Sequence, residues 1–280
     1  MNNQLKTGLL LGLLTALILI FGRLLGGQGG LIFAFILAIG MNVGSYWFSD
    51  RIVLSMYKAK ELSPQEAPQL HSIVQELAQK AGIPMPKVYI IPEQVPNAFA
   101  TGRNPKSGVV AVTQGIMQLL TLEELKGVLA HEMGHIRNRD ILIQTVAATL
   151  AGVIMFVSSM VKWAAIFGFG GDDEEGGHPI LALVLAIVAP IAAMLIQMGI
   201  SRSREYLADR SGAEFAGDPN YLASALEKLD AYSRKGRLKH GSPATAHMFI
   251  VNPLSGQQLA NLFSTHPPIQ ERVKRLRSMR

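Results

Sequence analysis

The 280-residue sequence contains no cysteine, and charged residues make up only 16% of it. Without cysteine there is no disulfide framework, and any metal site must be built from histidine and carboxylate ligands. Because 49% of the residues are hydrophobic, the sequence is too apolar for a typical soluble enzyme and predicts membrane-spanning segments. The net charge of +6 is compatible with nucleic acid, but a cytoplasmic membrane surface explains it better, and we expect no nucleic-acid partner.

Four apolar runs predict transmembrane helices in two hairpins. In the first hairpin, the 16-residue run 7–22 joins an apolar stretch at 31–48 through the glycine-rich turn 26–30. A cleaved signal peptide is the alternative for the first run, but no A-x-A-like cleavage site follows it. In the second hairpin, 141–161 would pair with 180–200, each with 21 uncharged residues, and two buried core helices are the alternative there.

The flanking charges predict the orientation of these hairpins. Arginines and lysines lie beside the cytoplasmic ends that we predict, at Arg51, Lys58, Arg137, Arg139, Arg202 and Arg204, whereas the loop 172–175 is acidic. Since positive flanks mark the cytoplasmic side of a membrane, both termini and the polar segments should face the cytoplasm, with the acidic loop outside.

Between and after the hairpins the pattern predicts mainly helices with a small β-sheet, an α+β fold. Amphipathic periodicity indicates a helix at 67–81 and three more in the last 80 residues, at 203–216, 220–234 and 269–277. Residues 88–91 read as a strand, and 97–102 and 108–113 read as a strand pair around a turn at 104–108.

An H-E-x-x-H pattern, His131-Glu132-Met133-Gly134-His135, lies within a predicted helix at 122–139. Thr121 and Glu124 form a capping-box pattern at the start of this helix. Positions i and i+4 share one helix face, so the two imidazoles can bind one Zn²⁺, and Glu132 beside them can accept a proton from water at the metal. The alternative is that two histidines fall four residues apart on a surface helix by chance.

A hydrolytic zinc site usually takes three protein ligands, so one more ligand must come from elsewhere in the chain. The extended motif H-E-x-x-H-x-x-G-x-x-H is absent, because residue 138 is Asn and residue 141 is Ile. Glu205 is the best candidate, since Asp209 follows one turn later and can accept the free ring N–H of a liganding histidine. A solvated helix face beside two arginines is the alternative for this pair.

The predicted strand at 97–102 is a candidate for holding substrate. Its residues Asn97, Ala98 and Phe99 lie in an extended, apolar context shortly before the metal helix. An exposed edge could hold an extended peptide by strand addition, with the Asn97 side chain aligning it. The sheet could equally serve only to pack the helix.

Together, four motifs of this sequence resemble those of the HtpX family, the membrane-bound zinc metallopeptidases of bacteria. The motifs are His131-Glu132-Met133-Gly134-His135, Asn97-Ala98-Phe99-Ala100, Ser203-Arg204-Glu205-Tyr206-Leu207-Ala208-Asp209 and Thr265-His266-Pro267-Pro268-Ile269-Gln270-Glu271-Arg272. The CAAX prenyl proteases share the metal motifs, but their larger set of spans is absent here. The resemblance implies a zincin/gluzincin fold, one Zn²⁺ per chain bound by His131, His135 and Glu205, and Glu132 as the catalytic base.

The resemblance also implies a multi-pass protein of the bacterial inner membrane whose active site faces the cytoplasm. Such a protein would cleave unfolded or misfolded proteins in quality control and in the response to stress. The chain would then divide into a transmembrane hairpin (1–50), a first catalytic part (51–140), a second hairpin (141–200) and a second catalytic part (201–280).

Two other classes of function compete with a peptidase. A zinc-dependent membrane scaffold or chaperone without turnover would have no use for Glu132. A metal transporter would need ligands inside the membrane, but the four apolar runs contain no acidic residue and no histidine.

The tetrahedral oxyanion of peptide hydrolysis needs a hydrogen-bond donor besides the metal. His266, held in direction by Pro267 and Pro268, is our candidate for this role. A histidine that caps the last helix is the alternative, and Tyr206 and Arg204 are rival donors.

Overall fold

A computed structural model describes residues 3–144, 146, 202–234, 250 and 267–279. Within these residues the protein is mainly helical with one small mixed sheet, as the sequence predicts. The helices are α1 (Asn3–Met56), α2 (Pro68–Ala81), α3 (Gln114–Leu119), α4 (Leu122–Arg137), α5 (Arg202–Ala216), α6 (Pro219–Arg234) and α7 (Ile269–Arg277). The strands are β1 (Lys60–Glu61), β2 (Lys87–Ile91), β3 (Ala98–Thr101) and β4 (Val109–Thr113), with a 3₁₀ turn at Pro105–Ser107 between the last two.

Helix α1 folds back on itself as the predicted first hairpin. Its backbone is non-helical at Gly26 and Gly27, and Gly27 has a φ of 57°, which glycine adopts without a steric penalty. The two arms meet where the Asn42 amide donates a hydrogen bond of 2.7 Å to the hydroxyl of Thr15, 27 residues away.

Only part of the predicted set of membrane spans can be checked. Among the described residues, one helical segment is long and apolar enough to cross a membrane, Gly26–Phe48, and the first arm contributes the shorter apolar helix Leu11–Ile20. The second predicted hairpin, 141–200, and its acidic loop lie almost entirely outside the described residues, so the arrangement of four spans stays a prediction.

The sheet has the strand order β1-β2-β4-β3, which places β3 at one edge. Strands β2 and β4 are parallel, whereas β3 and β4 are the predicted antiparallel pair, with Ala98 opposite Val112. The amide of Thr113 donates to the carbonyl of Asn97, at 2.9 Å. Since hydrogen-bonded pairs alternate along an antiparallel ladder, the backbone groups of Ala98 and Ala100 face the outer edge.

The two faces of the sheet pack against different parts of the protein. On one face, Ala98, Ala100 and Val110 join the main core, which includes α2 and α4. On the other face, Phe99 packs in a second cluster with Val53 and Leu54 from the end of α1. The end of α1 is therefore attached directly to the sheet.

Helix α4 is the predicted metal helix, and its start is the predicted capping box. The Glu124 amide donates to the hydroxyl of Thr121, and the Thr121 amide donates to the Glu124 carboxylate, at 2.8 Å. Glycines let α5 approach α4 closely. A Cβ on Gly134 would lie 3.1 Å from the backbone of Ala208, and one on Gly212 would lie 2.8 Å from the amide nitrogen of His131. This close packing brings Glu205 on α5 next to the two histidines.

Candidate metal centre

Three side chains predicted as ligands converge in a buried cluster between α4 and α5. The Nε2 atoms of His131 and His135 lie 3.1 Å apart. The Glu205 carboxylate lies 3.7 Å from Nε2 of His131 and 3.4 Å from Nε2 of His135. Within the described parts of the chain, this is the group of side chains that could hold a metal ion.

The spacing of these atoms fits Zn²⁺. Ligands about 2.0–2.1 Å from a tetrahedral metal lie roughly 3.3 Å from one another, close to the separations found here. At 3.1 Å the lone pairs of the two Nε2 atoms would repel each other, so a proton or a metal cation must lie between them. The donor set of two imidazoles and one carboxylate is also a typical ligand set of a hydrolytic zinc site.

Each histidine has its own carboxylate on the opposite side of the ring. Nδ1 of His131 lies 2.9 Å from Asp209, and Nδ1 of His135 lies 3.3 Å from Asp140. When the Nδ1–H donates to a carboxylate, the lone pair of Nε2 is left to point at the metal. Asp209 was expected in this role.

The role of Asp140 was not predictable from the sequence pattern alone. Arg139 adopts a left-handed conformation, with a φ of 57°, and turns the chain back after α4 so that Asp140 reaches the histidine five residues earlier. In the sequence, the only sign of this role is an acidic residue directly after the predicted metal helix. That sign does not predict a contact with His135 unless the turn at Arg139 is known.

Arg272, the last residue of the motif Thr265–Arg272, is a second residue whose contacts were not predicted from the sequence. Arg272 is 0% exposed, and its Nε and Nη2 donate to both carboxylate oxygens of Asp209, at 2.9 and 2.6 Å. Its guanidinium also lies 3.7 Å from Glu205. Helix α7 thereby places a positive charge beside the candidate ligands His131 and Glu205.

The charges of the cluster favour a divalent cation. Among the described residues, the buried charged groups around the histidines are four carboxylates and two guanidiniums, an excess of two negative charges. They are Glu132, Asp140, Glu205 and Asp209 against Arg204 and Arg272.

The pKa shifts of His135 and Asp209 follow the oppositely charged partners that each group faces. Burial by itself lowers the pKa of His135, but the hydrogen bonds with Asp140 and Glu205 outweigh it and raise the pKa to about 10. Burial raises the pKa of Asp209, but the charge of Arg272 and the hydrogen bond with His131 outweigh it and lower the pKa to about 2. A cation at Nε2 would replace the proton that His135 otherwise holds.

The Glu132 carboxylate lies beside the cluster and is fixed by the edge of the sheet. Its Oε2 accepts a hydrogen bond of 2.9 Å from the backbone amide of Ala100, and the residue is 7% exposed. Strand β3 therefore positions this carboxylate directly.

The three residues predicted to hold substrate lie on β3 and directly before it, and their side chains have different surroundings. Asn97 is buried, and its side-chain oxygen accepts a hydrogen bond of 3.2 Å from the amide of Ile250. Ala98 has its backbone at the outer edge. The Phe99 ring packs against Tyr57, with 5.5 Å between the ring centroids, on the sheet face opposite α4. The side chain of Phe99 thus anchors the strand to α1.

The candidate oxyanion donors are only partly described. His266 lies outside the described residues, so its role stays a prediction. Tyr206 is held by α7, because its hydroxyl bonds to Glu271 and its ring lies 3.7 Å from the guanidinium of Arg275. Arg204 is 8% exposed and lies near Asp140 and Glu205, so it remains a candidate by position.

Comparisons with known proteins place this centre in a family. Residues 64–280 match peptidase family M48. The chain is 58% identical over 282 residues to "Protease HtpX homolog" of Syntrophobacter fumaroxidans, covering 100% of both chains. It is 57% identical over 275 residues to the protein of the same name from Pyrococcus furiosus, covering 98% of this chain and 95% of the relative.

A solved structure has the same fold. The crystal structure of S. mikatae Ste24p superposes with a TM-score of 0.51 at 18% sequence identity, covering 95% of this chain and 62% of that chain. At this identity the likeness concerns the fold alone. The match over residues 64–280 and the identities to full-length relatives lead to one conclusion: the chain belongs to peptidase family M48.

Proposed function

We propose that the chain is a membrane-bound zinc metalloendopeptidase in which His131, His135 and Glu205 bind the metal and Glu132 is the catalytic base. Membership in peptidase family M48 makes it a metalloprotease that uses zinc and acts on proteins. The observation that carries the assignment of residues is the convergence of the three ligand atoms at 3.1 to 3.7 Å, with the Glu132 carboxylate beside them.

The residues around the ligands orient them. Asp209 and Asp140 hold the two imidazoles by Nδ1, so that both Nε2 atoms face the same point. Arg272 balances the charge of Asp209 and lies beside Glu205. Bound Zn²⁺ supplies a Lewis acid that acidifies water and polarises the scissile carbonyl.

Glu132 moves the proton. Its carboxylate takes a proton from the attacking water and later delivers it to the nitrogen of the leaving amine. The bond from the Ala100 amide occupies Oε2 and leaves Oε1 to contact the water. His266 is our proposed donor to the oxyanion.

Strand β3 is the proposed surface for the substrate backbone. The amide and carbonyl of Ala98 and the carbonyl of Ala100 face the outer edge, beside the carboxylate of the base. Main-chain pairing accepts many sequences but requires an extended segment, so it suits unfolded or misfolded proteins in quality control. We place the protein in the bacterial inner membrane with this site facing the cytoplasm, on the basic flanks of its apolar runs.

The experiment that tests this function compares two substitutions. Glu132→Gln should keep about one Zn²⁺ per chain and lose casein cleavage by at least roughly 100-fold, because it removes only the base. Glu205→Ala should lose zinc. A Glu132→Gln variant that cleaves casein at a near-normal rate would refute the assignment of the base, and a zinc scaffold or chaperone predicts no chelator-sensitive cleavage by the parent.

A further inference from the structure

Strand β3 is a short edge strand with one large side chain. Among the described strands β4 is its neighbour, and its four residues are Ala98, Phe99, Ala100 and Thr101. Alternate side chains of a strand point to opposite faces, and here Ala98 and Ala100 face the main core while Phe99 faces the other way. Because the strand pairs on one side and carries two alanines, the packing of Phe99 contributes most to fixing where it lies.

The end of α1 holds Phe99 in place. Phe99 is 3% exposed and packs in one cluster with Val53 and Leu54. The ring of Tyr57, directly after α1, lies against the Phe99 ring, with 5.5 Å between the ring centroids. We call Val53, Leu54 and Tyr57 the α1 anchor. The position of β3 therefore depends on the position of the α1 anchor.

The α1 anchor is itself fixed to the opposite edge of the sheet. After Tyr57 the chain turns at Lys58, which has a φ of 50°, and the amide of Ala59 donates to the carbonyl of Leu54 at 2.9 Å. Strand β1 begins at the next residue, Lys60, and pairs with β2. The cluster around the anchor also includes buried residues of β2 and β4. The α1 anchor thus connects β1, at one edge of the sheet, to β3 at the other.

Strand β3 carries two parts of the proposed site. The amide of Ala100 donates to Oε2 of Glu132 at 2.9 Å, and the outward backbone of Ala98 is where the substrate would pair. The metal ligands lie on α4 and α5 instead, and these helices are held by their own close contact at Gly134 and Ala208. A shift of β3 would therefore redirect the carboxylate of the base and move the substrate, while the ligands stay in place.

We infer that Phe99 and Tyr57 are positioning residues of the peptidase reaction, which hold β3, the substrate backbone beside it and the carboxylate of Glu132 in register with the metal. The inference rests on the proposed function, because it takes Glu132 as the base and β3 as the strand beside which the peptide lies. Phe99 acts from the sheet face away from α4, through the backbone of its own strand. The end of α1 is then part of the catalytic apparatus.

This role has a kinetic signature of its own. A substrate that is paired with β3 moves together with the strand, so its main-chain bonds are kept and KM should change little. The distance from the scissile carbonyl to the metal does change, and a misplacement of about 1 Å can lower kcat by ~100-fold. A side chain that contacted the substrate directly would instead raise KM when it is removed.

The test compares two tyrosines in the full zinc-loaded chain in detergent micelles, with unfolded casein as substrate. Tyr57→Ala removes the ring that lies against Phe99, and kcat should fall by at least about 10-fold while KM stays within about 2-fold. Tyr89→Ala is the matched control, because Tyr89 is also partly buried against the cluster but lies on β2, two strands from β3. Its kcat should stay within about 2-fold of the parent. Tyr57→Phe keeps the ring and should restore the parent's kcat.

A second measurement does not depend on turnover. Hydrogen exchange of the Ala100 amide reports whether its bond to Glu132 persists. This amide should exchange at least about 10-fold faster in Tyr57→Ala than in the parent or in Tyr89→Ala, while the amides of α4 keep their protection and the zinc content stays at about one per chain. Should Tyr57→Ala fail to fold, Phe99→Leu, which replaces the ring by a smaller apolar side chain, takes its place in the same comparison.

Three results would overturn the inference while the proposed function stands: a parent-like kcat in the variant, a raised KM in place of a lowered kcat, or an equal loss of kcat in Tyr89→Ala. An unchanged exchange rate of the Ala100 amide would overturn it as well. Failure of the parent to cleave casein in a chelator-sensitive way would instead overturn the proposed function, and the inference with it.

Discussion

Arg272 donates hydrogen bonds of 2.6 and 2.9 Å to the two carboxylate oxygens of Asp209, and both side chains are buried. The pair connects α7, near the C-terminus, to the helix that carries Glu205. Because Asp209 also lies 2.9 Å from Nδ1 of His131, the orientation of this candidate metal ligand depends on a residue 141 positions away in the sequence.

Removal of Arg272 should destabilise the protein strongly. Arg272→Met leaves the buried Asp209 charge without its partner, and breaking a buried ion pair in this way costs about 3–5 kcal/mol. The control is Arg277→Met on the same helix, which removes an exposed pair with Glu227 and should cost less than about 1 kcal/mol. Denaturant unfolding in detergent micelles measures the free energy of unfolding of both variants. Equal losses of this free energy would show that the buried Arg272–Asp209 pair stabilises the protein no more than the exposed pair.

Asp140 should raise the affinity for the metal without binding it directly. Asp140→Asn weakens the acceptor for Nδ1–H of His135, and loss of such a partner typically lowers metal affinity by about 10–100-fold. Asp230→Asn, at a partly exposed pair with Arg234 on α6, is the control and should leave affinity unchanged. Competition with a fluorescent zinc chelator gives both constants, and parent-like affinity in Asp140→Asn would exclude this role.

The pKa of His135 predicts how the stability of the metal-free protein changes with pH. Its folded-state pKa is raised from 6.5 to about 10, since the hydrogen bonds with Asp140 and Glu205 outweigh burial. The stabilisation is therefore fully present below pH 6.5 and is lost as the pH rises through about 10. Melting temperatures of chelator-treated protein should fall across this range, whereas zinc-loaded protein, in which the metal takes the place of the proton, should change less. If the melting temperatures of the metal-free and the zinc-loaded protein changed with pH in parallel, the raised pKa of His135 would be contradicted.

The edge-strand role of β3 can be tested at Ala98. Ala98→Pro removes one outward-facing amide and leaves the zinc ligands intact, so zinc content should be normal and cleavage of unfolded casein far slower, by roughly 100-fold if the peptide is misplaced by about 1 Å. Ala98→Gly keeps the amide and is the matched control. If Ala98→Pro cleaves as fast as Ala98→Gly, the substrate lies along another wall of the cleft.

The predicted topology can be tested by labelling, since the chain has no native cysteine. Glu174→Cys should react with a membrane-impermeant reagent applied outside the cell, and His240→Cys should be protected. The opposite pattern would reverse the orientation of the site.

Features that depend on neighbouring residues in the chain were predictable from the sequence. The capping box at Thr121 and Glu124, the strand pair on either side of the turn at 104–108 and the turn at Gly26 and Gly27 were all expected. Capping, strand alternation and glycine turns are local effects, so the pattern of a few consecutive residues is enough to determine them. The shared face of His131 and His135 follows from helix periodicity in the same way.

Features that depend on packing between distant segments appeared only in the tertiary structure. Asp140 reaches His135 through a left-handed turn at Arg139, and Arg272 reaches Asp209 through the docking of α7. The direction of Phe99, towards α1 instead of the cleft, depends on which sheet face each helix covers. The sequence by itself determined the metal chemistry, because two imidazoles and a base on one helix are a local pattern. Only the tertiary structure decided which charges balance that metal, since buried charges are paired with whatever partner the fold brings within hydrogen-bond distance.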